Sequence, residues 1–535
     1  MTKPRLPIGL AVLTTAILSL VVSAHAFGGG SASKASTTFV EAVPGLPTSI
    51  DYPYQGDPSR YIRYAMGSTL VKYDPSYLAK KGCTTLAPID ALVGDLASKW
   101  VWSKDHKTIT FTLRPAKSPY GHTLTAADVV YSFQRMNALE PITKFQFFQV
   151  ANYATTPATA VNKNTVQIHL ARTNALAVVI QTIMLETIVD STEVKSHATA
   201  DDPWATKWMA NHTADFGPWK LDSFNPGQKA VFSPNPNYTG KRGNIKQLVL
   251  LYVPDPSTRT QLLQSGSVDW AERLPFQQFA SLKGASGITT KNCVSPNRDD
   301  MLLQEKDPIL AKVDVRHAIS LAINRNALVK GAYSGFGAAA TSGVSSFYSF
   351  PKPKSQYAYN VAQAKQLLAK AGYPDGFNLT LSYSISRPGP WAQQLAVLIQ
   401  SMLGNVGIKV TLDNIASPTD FTARFTNGNY QALLYTEPPV FPDPAYSAST
   451  YSLSTAPQDS FNFKDPKYDF LVNTALHTQP GKARNKIISE IASLGVTDYP
   501  IIYLVDEKFL YAYRSNVKGF LPQPFGNLLP DQLSK

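Results

Sequence analysis

Residues 359–412 constrain the fold more than any other stretch, because they lay out helix, strand, loop, helix and strand in unbroken succession. Asn360 can cap a helix whose apolar residues Ala364, Leu367, Leu368 and Ala371 recur at helical spacing, and Gly372 stops it. Pro374-Asp375-Gly376 then turns the chain into an expected strand over 377–384. The loop Arg387-Pro388-Gly389-Pro390-Trp391 follows. Beyond it Leu395, Leu398, Ile399, Met402 and Leu403 form an i, i+3, i+4, i+7, i+8 stripe. That helix ends near Gly404, and a second buried strand is expected over 408–412. A strand–helix–strand unit of this kind builds an α/β sheet, whose ligands bind in the loops beyond the carboxyl ends of the strands. Arg387 and Trp391 therefore occupy the recognition position of the cassette.

The chain is 535 residues long, too long for one core, which implies two or three subdomains. Alternating residues over 96–114, broken by a Ser-Lys-Asp-His turn, read as a hairpin. Thr125 and Asp128 make a capping-box-like start to a helix over 126–136. Residues 240–269 read as strand, helix, strand. A second α/β unit begins near Asp299, its first long helix expected over 315–330 with Val315, Ile319, Ala322 and Ile323 on one face. A strand over 501–504 is expected to return to the first unit. Connections between the units are thus placed near 296–302 and 497–505.

Several short blocks recur in a fixed order: Leu96-Ala97-x-x-Trp100, Thr110-Phe111-Thr112-Leu113-Arg114, Leu124-Thr125-Ala126-x-Asp128-Val129 and Phe216-Gly217-Pro218-Trp219. Gly266-Ser267-Val268-Asp269, Asp314-Val315-Arg316-His317-Ala318-Ile319 and Val517-Lys518-Gly519-Phe520 continue the series. Together with the cassette, they resemble the peptide/nickel class of ABC-transporter solute-binding proteins across nearly the whole chain. The resemblance implies an α/β, two-lobed periplasmic-binding-protein fold, type II-like, with an extra subdomain in lobe I and two hinge crossings. Lobe I would span 27–298 with a return over 500–535, and lobe II would span 299–499. The implied function is non-enzymatic: capture of a short peptide or peptide-like solute by lobe closure, and delivery to an ABC permease in the inner membrane. The chain would act as a monomer without cofactor.

Arginine offers a planar fork that matches a carboxylate bidentately, which makes Arg387 the leading candidate for gripping an acidic ligand end. In the dipeptide-binding members of the family an Arg-Pro at this loop grips the ligand's terminal carboxylate; Arg387-Pro388 keeps it, on a slightly shorter loop. The resemblance also implies an acid for the ligand's amine in the segment 435–444. Asp443-Pro444 matches its closing Asp-Pro, but the expected aspartate is missing; Glu437 is the nearest acid to bind the amine, and Asp443 is a second candidate unless it only forms the turn before Pro444. That departure leaves a non-peptide solute as the alternative: a metal chelate, a sugar derivative or another small molecule. Trp270, Trp391, Tyr435 and Phe441 could flank a ligand, although an aromatic residue is more often core. Asn297 and Arg298 sit at the first crossing and could reach the cleft, but read better as a surface turn, and Asp128, Asp269 and Arg316 read as caps and internal pairs.

The formal charge is +13, from 50 basic and 37 acidic residues. The basic residues are scattered rather than gathered into a patch, which argues against nucleic acid as a partner. Lys3 and Arg5, the apolar run 10–22 and Ala24-His25-Ala26 read as a cleavable secretory signal over 1–26. No cysteine lies near that cleavage site, so the expected product is a periplasmic protein without a lipid anchor. Cys83 and Cys293 are compatible with one disulfide or with two buried thiols. The eight histidines show no metal-ligand spacing. Gly-x-Ser-x-Gly and phosphate-loop patterns are absent, so a secreted hydrolase finds no nucleophile motif.

Overall fold

A computed structural model describes residues 37–51, 62–63, 66–139, 144–182, 187–348, 358–440, 442–456, 460–496, 501–524, 526 and 528–535. The expected signal segment and Phe441 lie outside the described residues. The cassette forms as its spacing predicts. Asn360 accepts the Gln363 N–H at 3.0 Å at the start of helix Val361–Lys370. Gly376 turns the chain at φ +79°, where an added Cβ would lie 2.0 Å from the Gly407 carbonyl oxygen. Strand Asn378–Tyr383 runs parallel to Lys409–Asn414, and helix Ala392–Gly404 connects them.

These strands are one flank of an 11-stranded mixed sheet. Its order runs Lys409–Asn414, Asn378–Tyr383, Ala432–Glu437, Ile288–Leu303, Ile501–Arg514, Trp270–Ala271, Thr38–Val43, Gln247–Tyr252, Lys229–Pro234, Trp219–Asn225. The short strand Gly337–Ala339 pairs with Ile501–Arg514. Two long antiparallel strands, Ile288–Leu303 and Ile501–Arg514, carry the sheet from one flank to the other. Their ladder is interrupted between Val294 and Arg298 and slips again between Asp299 and Asp300. A separate four-stranded antiparallel sheet, Ala97–Trp102, Thr108–Leu113, Thr165–Leu170 and Tyr153–Asn162, packs under helix Ala126–Leu139.

The expected long helix over 315–330 is two helices, Val313–Ala322 and Arg325–Gly331. Asn324 takes an extended conformation between them, and its side chain accepts the Ala327 N–H at 3.1 Å, starting the second helix. The two cysteines are joined in a disulfide that ties residue 83 to the long strand at 293. Asp128 caps as expected, accepting from Thr125 N at 2.7 Å, and Asp269 pairs internally with Lys535 at 2.7 Å. The Arg316 guanidinium donates to the Leu310 and Ala311 carbonyls, each at 2.9 Å. Among the described residues, no helix is long and apolar enough to cross a membrane.

Candidate functional site

The loop after strand Asn378–Tyr383 brings Arg387 against the end of the neighbouring strand Ala432–Glu437. Arg387 is half-buried, and its Nε and Nη2 donate to the Thr436 carbonyl at 3.1 and 2.9 Å. Its guanidinium carbon lies 4.1 Å from the centre of the Tyr435 ring, within cation–π range. Tyr435 is buried and stacks on Phe425 at 4.4 Å, so the platform under the arginine is rigidly packed. Trp391, four residues further along the loop, donates its indole N–H to Asp299 Oδ2 at 2.8 Å. Its ring meets Phe276 edge-on at 4.7 Å. Arg387 and Tyr435 are thus brought together, with Glu437 two residues further along the same strand face, while Trp391 is anchored separately on Asp299.

Glu437 does not stand alone. Arg298 donates to it at 2.6 Å, and holds Asp300 at 2.8 and 3.1 Å through Nε and Nη2. The same guanidinium donates to the Gly343 carbonyl at 3.2 Å and lies 4.3 Å over the Tyr503 ring. All three charged groups are buried. The expectation of a surface turn at Arg298 is therefore corrected: strand pairing on both sides places it in the middle of the sheet. One guanidinium cannot fully compensate two buried carboxylates, and burial pushes Asp300 up to about 8 despite its ion pair.

Side chains alternate along a strand, so Asp299 points to the face opposite Arg298 and Asp300. There it accepts from Tyr333 Oη at 2.5 Å, from Trp391, and from the Thr436 hydroxyl. Thr436 consequently links two networks, its hydroxyl facing Asp299 and its carbonyl holding Arg387. On the other side of Glu437, Tyr348, Tyr435, Tyr446, Tyr451 and Tyr468 all lie close enough to feel its charge, and burial drives each hydroxyl pKa upward. Gln146, from the segment adjoining the four-stranded sheet, reaches Tyr446 Oη at 3.3 Å.

The remaining candidates sit elsewhere. Asp443 caps helix Pro444–Tyr451 and is gripped by both terminal nitrogens of Arg484, at 2.7 and 2.9 Å, which corrects its reading as an available anion. Trp270 belongs to a different core cluster, against Tyr511 and Phe520, and does not join Arg387. Sequence reasoning named Arg298 but set it aside as a surface turn, and it missed Asp299, Asp300, Tyr446 and Tyr451. The signal was the polar run Asn297-Arg298-Asp299-Asp300 leading straight into apolar Met301-Leu302-Leu303. Among the described residues, no group of three or more histidine, cysteine or acidic residues is arranged to hold a metal.

Comparison with known proteins decides the family. The model of bacterial extracellular solute-binding proteins, family 5, matches residues 91–459. The chain belongs to this family. Its members are the substrate-binding components of the peptide/nickel class of ABC importers, a transport rather than a catalytic role. The chain is 28% identical over 439 residues to a probable D,D-dipeptide-binding periplasmic protein of Escherichia coli, covering 81% of this chain and 82% of that one. The fold is shared with a Helicobacter pylori periplasmic binding protein in complex with the peptide STSA. That match has a TM-score of 0.78 at 20% identity, covering 93% of this chain and 97% of the other. It is also shared with an Agrobacterium tumefaciens binding protein in complex with agropinic acid, at TM-score 0.76, 24% identity and 93% and 98% coverage. These likenesses establish the type II two-lobed architecture.

Proposed function

We propose that the chain is exported through its first 26 residues and works in the periplasm as a monomeric, non-catalytic receptor for a short peptide or peptide-like solute. Residues 27–298 and 500–535 form one lobe and 299–499 the other, with the long strands Ile288–Leu303 and Ile501–Arg514 as the crossings between them. The lobes close over the ligand and present it to an inner-membrane permease. Binding shifts an open–closed equilibrium and makes no bond.

The observation that carries this reading is the Arg387 fork, fixed through Nε and Nη2 on the Thr436 carbonyl and laid on Tyr435. A guanidinium so oriented suits an acidic ligand end. Tyr435 supplies the apolar wall beneath it, while Trp391 is held with Asp299 on the other face of the sheet. Native mass spectrometry of protein purified without refolding, together with small-angle scattering, tests the reading. A carried-over peptide mass and compaction on rebinding support it. An unchanged scattering profile with that ligand at saturation refutes it.

A second reading is favoured by the ion pairs. Glu437 and Asp443 are already matched to Arg298 and Arg484, which leaves neither as an open anion for a ligand ammonium. An acidic solute without an amine fits that arrangement better than a zwitterion. The Agrobacterium protein of the same fold is in complex with agropinic acid, which supports an acidic cargo. A co-purified mass with no amide backbone would select this alternative.

A further inference from the structure

Asp299 pairs with Val505 across the two long strands, so Glu507, two residues further on, lies on the same face of the sheet as its diagonal neighbour, beside the interruption of the ladder. Two carboxylates offer only acceptors, so such close buried neighbours are compatible only when one of them carries a proton. The surroundings say which. Burial pushes the Asp299 carboxyl up as well, but three donors, Tyr333, Trp391 and Thr436, oppose that and favour its anion over that of Glu507. Glu507 receives Asn297 Nδ2 at 3.3 Å on one oxygen, while its Oε1 has no protein donor. Both residues are buried. Burial first and the Asp299 charge second drive the Glu507 pKa well above its ordinary value.

We propose that Asp299 and Glu507 share one proton across the two crossing strands and so position the Arg387 loop, and that loss of this proton weakens ligand capture. The inference rests on the reading that Arg387 holds the ligand. Asp299 acts as a positioning residue: it anchors Trp391 directly and Thr436 through its hydroxyl, and Thr436 holds Arg387. When Glu507 releases its proton to water, two like charges remain in buried contact. The strands relieve this by parting where their ladder is already broken, between Val294 and Arg298. Arg273 pulls the Glu507 pKa down and Asp299 pushes it up, while Tyr333 bonds the shared carboxylate. Arg298 and Asp300 satisfy each other on the opposite face, and strand Gly337–Ala339 adds no charge.

The test follows the indole N–H of Trp391 by nitrogen-15 NMR in ligand-free protein between about pH 5 and 10, with Trp391→Phe to assign it. In parallel, affinities for Ala-Ala and D-Ala-D-Ala are measured over the same range. The wild-type indole resonance should move with rising pH, and peptide affinity should fall by up to about tenfold per pH unit, the limit for one proton. Glu507→Gln can still donate to Asp299 and should flatten both curves. Asp299→Asn, which removes the like charge, should abolish the same transition. A wild-type resonance that does not titrate, or one that titrates identically in Glu507→Gln, overturns the proposal. An indole transition abolished by Glu507→Gln while neither peptide binds would support the shared proton and count against the peptide reading alone.

Discussion

Replacing Arg298 with methionine keeps an unbranched apolar stem and removes the guanidinium and its charge, and the consequence can be worked from the contacts. Four hydrogen bonds disappear: two to Asp300, one to Glu437 and one to the Gly343 carbonyl. Asp300 and Glu437 are 2% and 5% exposed, so water cannot replace the guanidinium. Breaking a buried ion pair on one side costs about 3–5 kcal/mol. The loss should also depend on pH. Asp300 holds its proton in the folded state up to about 8, against about 3.9 for an ordinary aspartate. Between these values the folded chain binds more protons than the unfolded one, so stability falls as pH rises, by about 1.4 kcal/mol per unit for one group. At pH 5 the folded protein carries a neutral Asp300, and Arg298 balances Glu437 alone. At pH 8 Asp300 is half ionised and needs the same partner. Urea unfolding followed by circular dichroism should therefore show a larger loss for Arg298→Met at pH 8 than at pH 5. A loss under about 1 kcal/mol at both pH values, against the buried-pair cost, or a larger loss at pH 5, would refute the reasoning.

Removing the disulfide with paired serines should lower stability by up to about 5 kcal/mol on the chain-entropy model, because it joins residues 210 apart. Equal melting temperatures for the variant and the oxidised protein would deny it a stabilising role. Asp443→Asn leaves Arg484 buried without its anion and removes a charged helix cap, a loss of about 3–5 kcal/mol visible in thermal melting. Arg387→Ala should weaken binding of the co-purified ligand by about 2–5 kcal/mol in calorimetry, with unfolding little changed. Wild-type affinity in that variant would exclude Arg387 from the site.

The parts of the fold legible in the sequence are those decided by neighbours in the chain. Asn360, Gly372 and the stripe from Leu395 to Leu403 act within a few residues of one another, and the cassette they predict is the one that forms. The same reasoning joined two helices over 315–330, because apolar spacing continues through Ile323 and only the extended backbone there reveals the break. Trp270 shows a different limit. A tryptophan at a strand end has the same sequence signature in a cleft wall and in a core, and the partners that decide, Tyr511 and Phe520, arrive more than two hundred residues later.

Arg298 was the costliest residue to read, and the reason is physical. A run of four polar residues looks like a turn when judged by solvation alone, yet its compensation is tertiary: Glu437 is 139 positions away along the chain. Once the run is a central strand, its period of two sorts the charges. Arg298 and Asp300 face one way and secure Glu437, while Asp299 faces the other and takes donors from Tyr333, Trp391 and Thr436. Both networks end on the strand Ala432–Glu437, whose Thr436 carbonyl fixes Arg387. The recognition loop is therefore held by residues that need never touch a ligand. A change in the charge of the crossing strands must then be felt at Arg387, because Thr436 is bonded to both.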